Sequence, residues 1–409
     1  MNARLAPRMN VIGASPTAEI SNKLRELAAR GADVINLGEG ELDFPTPPHV
    51  CAAGIKAIET GETKYTAVSG TAALKAAIAR KFERENRLSY GPGQIIAGSG
   101  AKQLIFNAFL ATLSEGDEVL VPAPYWVSYP DMVRLTGAAP VIVPTTAAEG
   151  WKLTPAALRK ALTPRVKWLV LNSPNNPTGA VYTRAELVAL AEVLAGHDTL
   201  VMADDIYEHI VHDGSFAAPA AAMPGLFDRI LTVNGVSKGY SMTGWRLGYA
   251  GGPEWLIRAM DVLQSQSTSN PSTISQAAAI AALDGGTGFV DDWKRVLLAR
   301  RARVLRAIDG IEGLTALPTP GAFYVFADCS GLFGARSPEG KVLENDLDVA
   351  GYILEAAHVG MVHGSAFGTP GHLRIAYAID DSRLDQAMTR IATAVRALKL
   401  PMNAWPVNA

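Results

Sequence analysis

Two kinds of apolar spacing divide the chain. Between about residues 70 and 285, short Val/Leu/Ile runs stand without polar alternation: Glu118 to Pro122, Val141 to Pro144, Trp168 to Leu171, Thr199 to Ala203, Arg229 to Val233 and Leu247 to Ala250. Such runs predict strands covered on both faces, and the helical segments between them predict crossovers, so this part reads as α/β with a largely parallel sheet. Upstream, Ser15-Pro-Thr17 gives stop-and-start signals for a helix over Ala18 to Arg30, and Val34 to Gly40 reads as a short strand running into glycine. Asp43 to Pro48 is a rigid connector, followed by helical spacing from His49 to Glu59. After a long basic helix, Phe289 to Ile308, the pattern changes. Strands are expected at Gly321–Ala327, Gly360–His363 and His372–Tyr377, with helices at Val349–Ala357 and Leu384–Leu398, which together make a smaller α+β unit. The arginines of the long helix read as a solvated face, and the Pro/Asn-rich tail after Lys399 is expected to be loosely held.

Composition narrows the classes. With 409 residues, 48% hydrophobic and 19% charged, the chain can fill the cores of about two domains. A net charge of −2 provides no overall basic field for nucleic acid or an anionic membrane, so ligand binding must rest on local charges. Cys51 and Cys329 lie far apart and belong to no Cys/His cluster, so neither a disulfide framework nor a metal site is expected and a reducing compartment fits. No apolar signal region opens the sequence and no uninterrupted apolar stretch is long enough to span a bilayer, so the expectation is a cytoplasmic protein.

Candidate chemistry collects at the predicted strand ends, where open α/β sheets bind ligands. Lys238 follows the run Ile230 to Val233 in a Gly/Ser-rich turn; an amine held there, desolvated and near other cations, loses proton affinity and can attack a carbonyl. Taken alone it also reads as a solvated loop lysine. Gly98-Ser-Gly-Ala-Lys-Gln103 precedes a helical run and offers free backbone N–H groups to a phosphate, or is an ordinary strand-to-helix turn. In Asn172-Ser-Pro-Asn-Asn-Pro-Thr-Gly179, Asn176 can present its amide to a ligand oxygen. Asp204 and Tyr207 are placed to address two sides of one aromatic cofactor, or are a helix cap and a core tyrosine. Arg246 and Arg374 have the fork that suits phosphate and carboxylate, although a structural acid would also satisfy Arg374. Tyr65 and Trp126 are weaker candidates, for a phosphate-directed hydroxyl and for ring stacking. A phosphate cradle, an amide turn, an Asp/Tyr pair, a lysine turn and two arginines together describe a bound aromatic aldehyde phosphate.

Tyr125-Trp-Val-Ser-Tyr-Pro130, Asn172–Gly179, Asp204-Asp-Ile-Tyr-Glu-His209 and Ser237-Lys-Gly-Tyr-Ser-Met-Thr-Gly-Trp-Arg-Leu-Gly-Tyr249 occur in an order and spacing that resembles the fold-type I pyridoxal-phosphate enzymes, specifically the bacterial aspartate aminotransferase branch of class I/II. The resemblance spans about residues 10 to 398. It implies a large cofactor domain at 45–290 and a small domain assembled from an N-terminal arm, 1–44, and from 291–409, which begins with the interdomain helix. It also implies a homodimer with shared sites.

By the same resemblance, pyridoxal 5′-phosphate would be held as a Schiff base on Lys238, which shuttles the substrate proton. Asp204 would keep the ring nitrogen protonated, Tyr207 and Asn176 would hydrogen-bond the ring oxygen, and Trp126 would stack on the ring. Gly100, Ala101, Lys102, Ser237 and Arg246 would hold the phosphate, with Tyr65 reaching it from the second subunit. Arg374 would clamp the substrate α-carboxylate with help from Asn176, Trp126 and Gly40.

Two departures bear on specificity. Many relatives have a phosphate-contacting serine where this chain has Gly235, and the position that matches the partner-chain arginine of animal enzymes is Ser265. Lys102, Ser15, Thr17 and Ser265 match the set by which bacterial members lacking that arginine recognise a second carboxylate. The expected reaction is therefore amino-group exchange between aspartate or glutamate and a 2-oxo acid such as 2-oxoglutarate. Aromatic or prephenate transamination, and lyase, racemase, decarboxylase or synthase chemistry on the same carbanion, are the alternatives. A cofactor-sensing regulator is a remote one, since it needs a DNA-binding module and a basic field.

Overall fold

The computed structural model describes residues 4–400. Its first strand, β1 (Ile35–Asn36), is followed by β2 (Ile95–Gly98), β3 (Glu118–Ala123), β4 (Ala139–Pro144), β5 (Val166–Asn172), β6 (Leu200–Asp204), β7 (Ile230–Gly235) and β8 (Gly248–Gly251). The last seven form one sheet in the order β2-β8-β7-β6-β5-β3-β4. Strands β3 to β7 run parallel, and β8 is antiparallel to both β7 and β2. The absence of polar alternation has a direct cause. In β5, Leu169 and Leu171 enter one apolar core while Trp168 and Val170 enter the core on the other face, so neither face of the strand looks at solvent there. The edge strand β4 has only one neighbour and exposes Ile142.

This topology brings five segments to one edge. The carboxyl ends of β2, β5, β6 and β7 open there and, because β8 runs the other way, its amino end does too. The turn after β2 lies directly on the start of β8: a Cβ on Gly248 would sit 2.2 Å from the backbone nitrogen of Ala101, so only glycine permits the approach.

The second core is built from both ends of the described chain, joining Ile35, Leu37 and Leu42 to residues of the long helix Gly288–Asp309 and of the C-terminal helix Asp381–Arg396. Strands β9 (Tyr324–Asp328), β10 (Val359–Gly360), β11 (Val362–His363) and β12 (His372–Ala376) complete the fold. The stretch Gly360–His363, expected as one strand, is split. Val359–Gly360 pairs in parallel with β1, whereas Val362–His363 pairs antiparallel with β12. The helix Pro16–Ala29 packs on the crossing, where a Cβ on Gly360 would lie 2.5 Å from Leu24.

The expectation of a solvated arginine face on the long helix holds for Arg295 and Arg306, which are exposed, but fails for Arg300 and Arg301. Arg300 is buried, takes Asp43 in a two-pronged pair (2.7 and 2.9 Å) and donates to Asp381 at 2.8 Å, while its guanidinium lies over Phe44. Arg301 is tied to Asp213 and the Thr319 carbonyl. Helical spacing locates a charged face but does not reveal acids that arrive from distant sequence. The long helix thereby holds the Asp43–Pro48 connector to the C-terminal helix. The tail expectation concerns residues that, from 401 onward, lie outside the described ones.

Sequence reading also passed over a buried ionic cluster. Lys81, 0% exposed, contacts Glu208 directly and donates to Asn86 at 2.7 Å; Asn86 donates to Glu208 at 2.6 Å, and Glu85 meets the His209 ring at 2.8 Å. Burial alone would push the Glu208 carboxyl up, but Lys81, His209 and Asn86 outweigh it and hold it below the usual carboxylate range. The cluster pins the Asp204–His209 loop to the end of the helix Ala72–Lys81. Lys81→Met leaves Glu208 buried without its cation, and the expected loss is about 3–5 kcal/mol, read as a lower urea midpoint. An unchanged midpoint would show that the pair adds nothing.

Candidate active site

A cavity of about 410 Å³ opens at the edge where the strand ends meet. Its floor is Asp204, the last residue of β6, only 4% exposed. Asp204 accepts a hydrogen bond from the Tyr129 hydroxyl at 2.5 Å, and Asn172, its neighbour across the sheet on β5, donates to its carbonyl at 2.9 Å. Burial raises the Asp204 carboxyl to about 6, against the opposing pull of Tyr129, the Ile206 N–H and Lys238. A buried acid aimed into a cavity is costly unless a cation or N–H meets it.

Lys238 stands past the end of β7, with its ammonium 6.0 Å from the Tyr207 ring centroid and donating to the Gly40 carbonyl. Burial lowers its amine to about 8; Arg374 and Arg246 push the same way, and Glu41 and Glu39 push back. Roughly a tenth of such amines are neutral at pH 7, against fewer than about one in a thousand for an ordinary lysine. Since only the neutral amine attacks an aldehyde, capture of pyridoxal phosphate by the unloaded protein is expected to accelerate with pH and level off just above 8. A stopped-flow rate still rising at pH 10 would contradict this.

The Gly98–Gln103 turn leads into a helix, as its sequence predicts. Gly100 caps the helix Ala101–Thr112 with φ 95°; the Gln103 N–H turns back to the Gly100 carbonyl at 3.1 Å, while those of Ala101 and Lys102 have no acceptor among the described residues. Arg246 crosses so close that a Cβ on Gly100 would lie 2.6 Å from its guanidinium, and Arg246 has no carboxylate partner among the described residues. Ser237 also lines the cavity, and no described residue bonds its hydroxyl. At Gly235 a side chain would press on Gly248 and the Leu247 carbonyl at 3.1 Å, so a serine there would need the neighbouring backbone to shift. Trp126 meets Tyr129 edge-on, and the Lys102 ammonium lies 4.8 Å above the Trp126 ring. Burial, aided by Arg246, lowers the Lys102 amine.

On the opposite wall Arg374, on β12 and 2% exposed, donates to Asn176 Oδ1 at 2.9 Å and to the Gly38 carbonyl at 2.5 Å. Its guanidinium lies between the rings of Tyr324 and Phe367, 4.6 and 5.1 Å away. The structural acid considered for it does not exist among the described residues, and its Nε has no acceptor. A buried guanidinium without an anion is a carboxylate receptor by its chemistry. Arg374→Lys keeps the charge but loses the fork, and a fall in kcat/KM of about 10²-fold is expected, carried mainly by KM. A KM within twofold of the parent would argue against a substrate role.

The Tyr207 hydroxyl pairs with that of Tyr324 at 2.7 Å, and burial holds it well above the ordinary phenol range. Gly40 faces Tyr324, whose hydroxyl leaves no room for a side chain there. Ser15 precedes the helix Pro16–Ala29 without a capping bond from its side chain, and both Ser15 and Thr17 line the cavity. Three candidates are not among the residues that line it; Gly100 lies against Arg246 beside Ala101, which does line it. Tyr65 is 90% exposed beside a separate depression formed with residues 268–274, and Ser265 is exposed with its hydroxyl on the Val262 carbonyl. Sequence reasoning missed Tyr129, Asn172 and Tyr324. The first two sit inside the quoted motifs, but nothing local shows which tyrosine meets Asp204.

The residues present fit pyridoxal phosphate: a buried guanidinium whose Nε has no acceptor, a helix start at a glycine whose φ of 95° disfavours any side chain, and a buried acid. The model of the aminotransferase class I and II family matches residues 32–391. The chain is 52% identical over 379 residues to the aspartate/prephenate aminotransferase of Cereibacter sphaeroides, covering 92% of this chain and 95% of that protein. Among solved structures, the aspartate aminotransferase from Rhizobium meliloti superposes with a TM-score of 0.93 at 48% identity, covering 97% of this chain and all (100%) of the other. The Thermus thermophilus aspartate aminotransferase with maleate gives 0.89 at 41%, covering 95% and 99%. The cavity, the sheet that frames it and these matches agree: the chain belongs to the class I and II aminotransferases, pyridoxal-phosphate-dependent enzymes of fold type I.

Proposed function

We propose that this aminotransferase exchanges the amino group of aspartate or glutamate with a 2-oxo acid such as 2-oxoglutarate. The observation that carries the reading is that one cavity is lined by two cations, Arg374 with no acid partner among the described residues and Lys102, together with the hydroxyls of Ser15 and Thr17. One cation suits the α-carboxylate and the other a second carboxylate. Prephenate is the second reading, favoured by the apolar wall of Ile105 and Trp126 and by the name of the Cereibacter relative.

Pyridoxal phosphate, when bound, supplies an electron sink for the charge left at the substrate Cα and a carrier for the amino group. The helix N-terminus at Gly100 to Lys102, with Ser237 and Arg246, holds its phosphate. Asp204, kept in place by Tyr129, would hold a proton on the ring nitrogen. No described residue accepts from the Asn176 Nδ2, which is left for the ring oxygen beside Tyr207. Arg374 would orient the substrate so that its Cα proton faces Lys238, whose lowered amine would take up that proton and hand it back.

We further infer a homodimer in which Tyr65 and Ser265, exposed here, complete the partner's cavity. The unpaired Cys51 and Cys329 suit a cytoplasmic setting; no helix among the described residues is long and apolar enough to cross a membrane. The test is stoichiometric. With L-aspartate and 2-oxoglutarate the enzyme should form oxaloacetate and glutamate one for one, and prephenate in place of 2-oxoglutarate tests the second reading. Release of ammonia or pyruvate without an acceptor would point instead to lyase chemistry.

A further inference from the structure

The cavity carries an acid that the reading above leaves unused. The strap Gly38–Glu41 faces the site with its backbone: the Gly38 carbonyl accepts from Arg374 and the Gly40 carbonyl from Lys238. Between them the Glu39 side chain lines the cavity on the wall formed by the helix Pro16–Ala29, the same wall that carries Ser15 and Thr17. Its position is set by two donors to one oxygen, Ser21 Oγ at 2.8 Å and Asn36 Nδ2 at 2.9 Å. Glu39 has no ion-pair partner among the described residues, although Arg25 lines the same wall. A fixed carboxylate here repels a second substrate carboxylate, which Lys102, lining the same cavity, attracts.

We propose that Glu39 is a specificity-determining residue, its charge setting how strongly the pocket favours amino and oxo acids with a second carboxylate over neutral ones. This rests on the transamination reading and deepens it. Selectivity is a difference between two affinities, and a repulsive group in the cavity limits what the cation in the same cavity achieves. Because Glu39 is exposed, salt screens its effect.

Glu39→Gln tests the charge alone, since the amide oxygen can still accept from Ser21 and Asn36. In the holoenzyme, the ratio of kcat/KM for L-aspartate to that for L-phenylalanine should rise about threefold to tenfold, and the dissociation constant of maleate, read by spectral titration, should fall by a similar factor. Glu39→Ala should change the ratio as much as Glu39→Gln, and 0.5 M NaCl should shrink the change in both. An unchanged ratio and maleate constant in Glu39→Gln, or a change confined to Glu39→Ala, would overturn the proposal, the latter showing that Glu39 acts only by tying down the helix. If the parent enzyme does not react with aspartate at all, the substrate reading fails on that result alone, while maleate binding still reports on Glu39.

Discussion

Lys238→Ala is expected to lower transamination by at least about 10³-fold, because it removes both the covalent attachment and the base that moves the proton. The spectrum separates this from misfolding. The Gly100 cradle, Arg246 and Asp204 remain, so the variant should still take up pyridoxal phosphate, but with the absorbance of the free aldehyde. Lys238→Arg should not rescue it, since a guanidinium does not give up its proton near neutral pH. The depressed amine has its origin in the fold: the topology that ends β7 beside Arg246 and below Arg374 also buries the ammonium among cations. Retention of activity within tenfold would exclude Lys238 as the reacting amine.

Asp204→Asn is expected to reduce kcat by about 10²- to 10³-fold while making the unloaded protein more stable. The amide keeps the volume and can still accept from Tyr129, but it does not hold a proton on the ring nitrogen. The gain in stability follows from the raised carboxyl. Below the ordinary value of 3.8 Asp204 is protonated in both folded and unfolded chains and costs nothing; between 3.8 and about 6 only the unfolded chain ionises freely and the penalty grows, and above 6 the folded state bears a buried charge at a constant cost. That cost is on the order of a few kcal/mol at neutral pH. Urea unfolding of the unloaded proteins should therefore show the Asp204→Asn variant more stable than the parent above pH 6, with the difference gone near pH 3. An activity loss accompanied by lower stability at pH 7 would mean that Asp204 is a structural acid.

Much of this site is readable in the chain because its parts lie at strand ends, and strand ends are where short apolar runs meet Gly, Asn and Pro. Lys238, Asp204, Asn176 and Arg246 each follow such a run or lie in the turn after it, and the structure gathers them with Arg374 around one cavity. What was not readable depends on contacts between distant segments. The acids that bury Arg300 arrive from Asp43 and Asp381, and the partner of Glu208 arrives from Lys81. The turn that splits Gly360–His363 between two sheets depends on Leu24 packing over a glycine. Glu39 is of the same kind: in sequence it is one acid in Gly-Glu-Gly-Glu, and only the fold turns it toward the substrate wall.

The central claim, that Lys238, Asp204 and Arg374 together serve an amino-transferring cofactor with an acidic substrate, is tested most directly by titrating the purified holoenzyme with L-aspartate in the absence of any oxo acid. The account predicts that the visible band of lysine-bound pyridoxal phosphate collapses to that of pyridoxamine phosphate with one equivalent of oxaloacetate formed, and that 2-oxoglutarate restores it. A cofactor band that aspartate and glutamate leave unchanged would contradict the acidic specificity, and a protein that binds no pyridoxal phosphate would contradict the site itself.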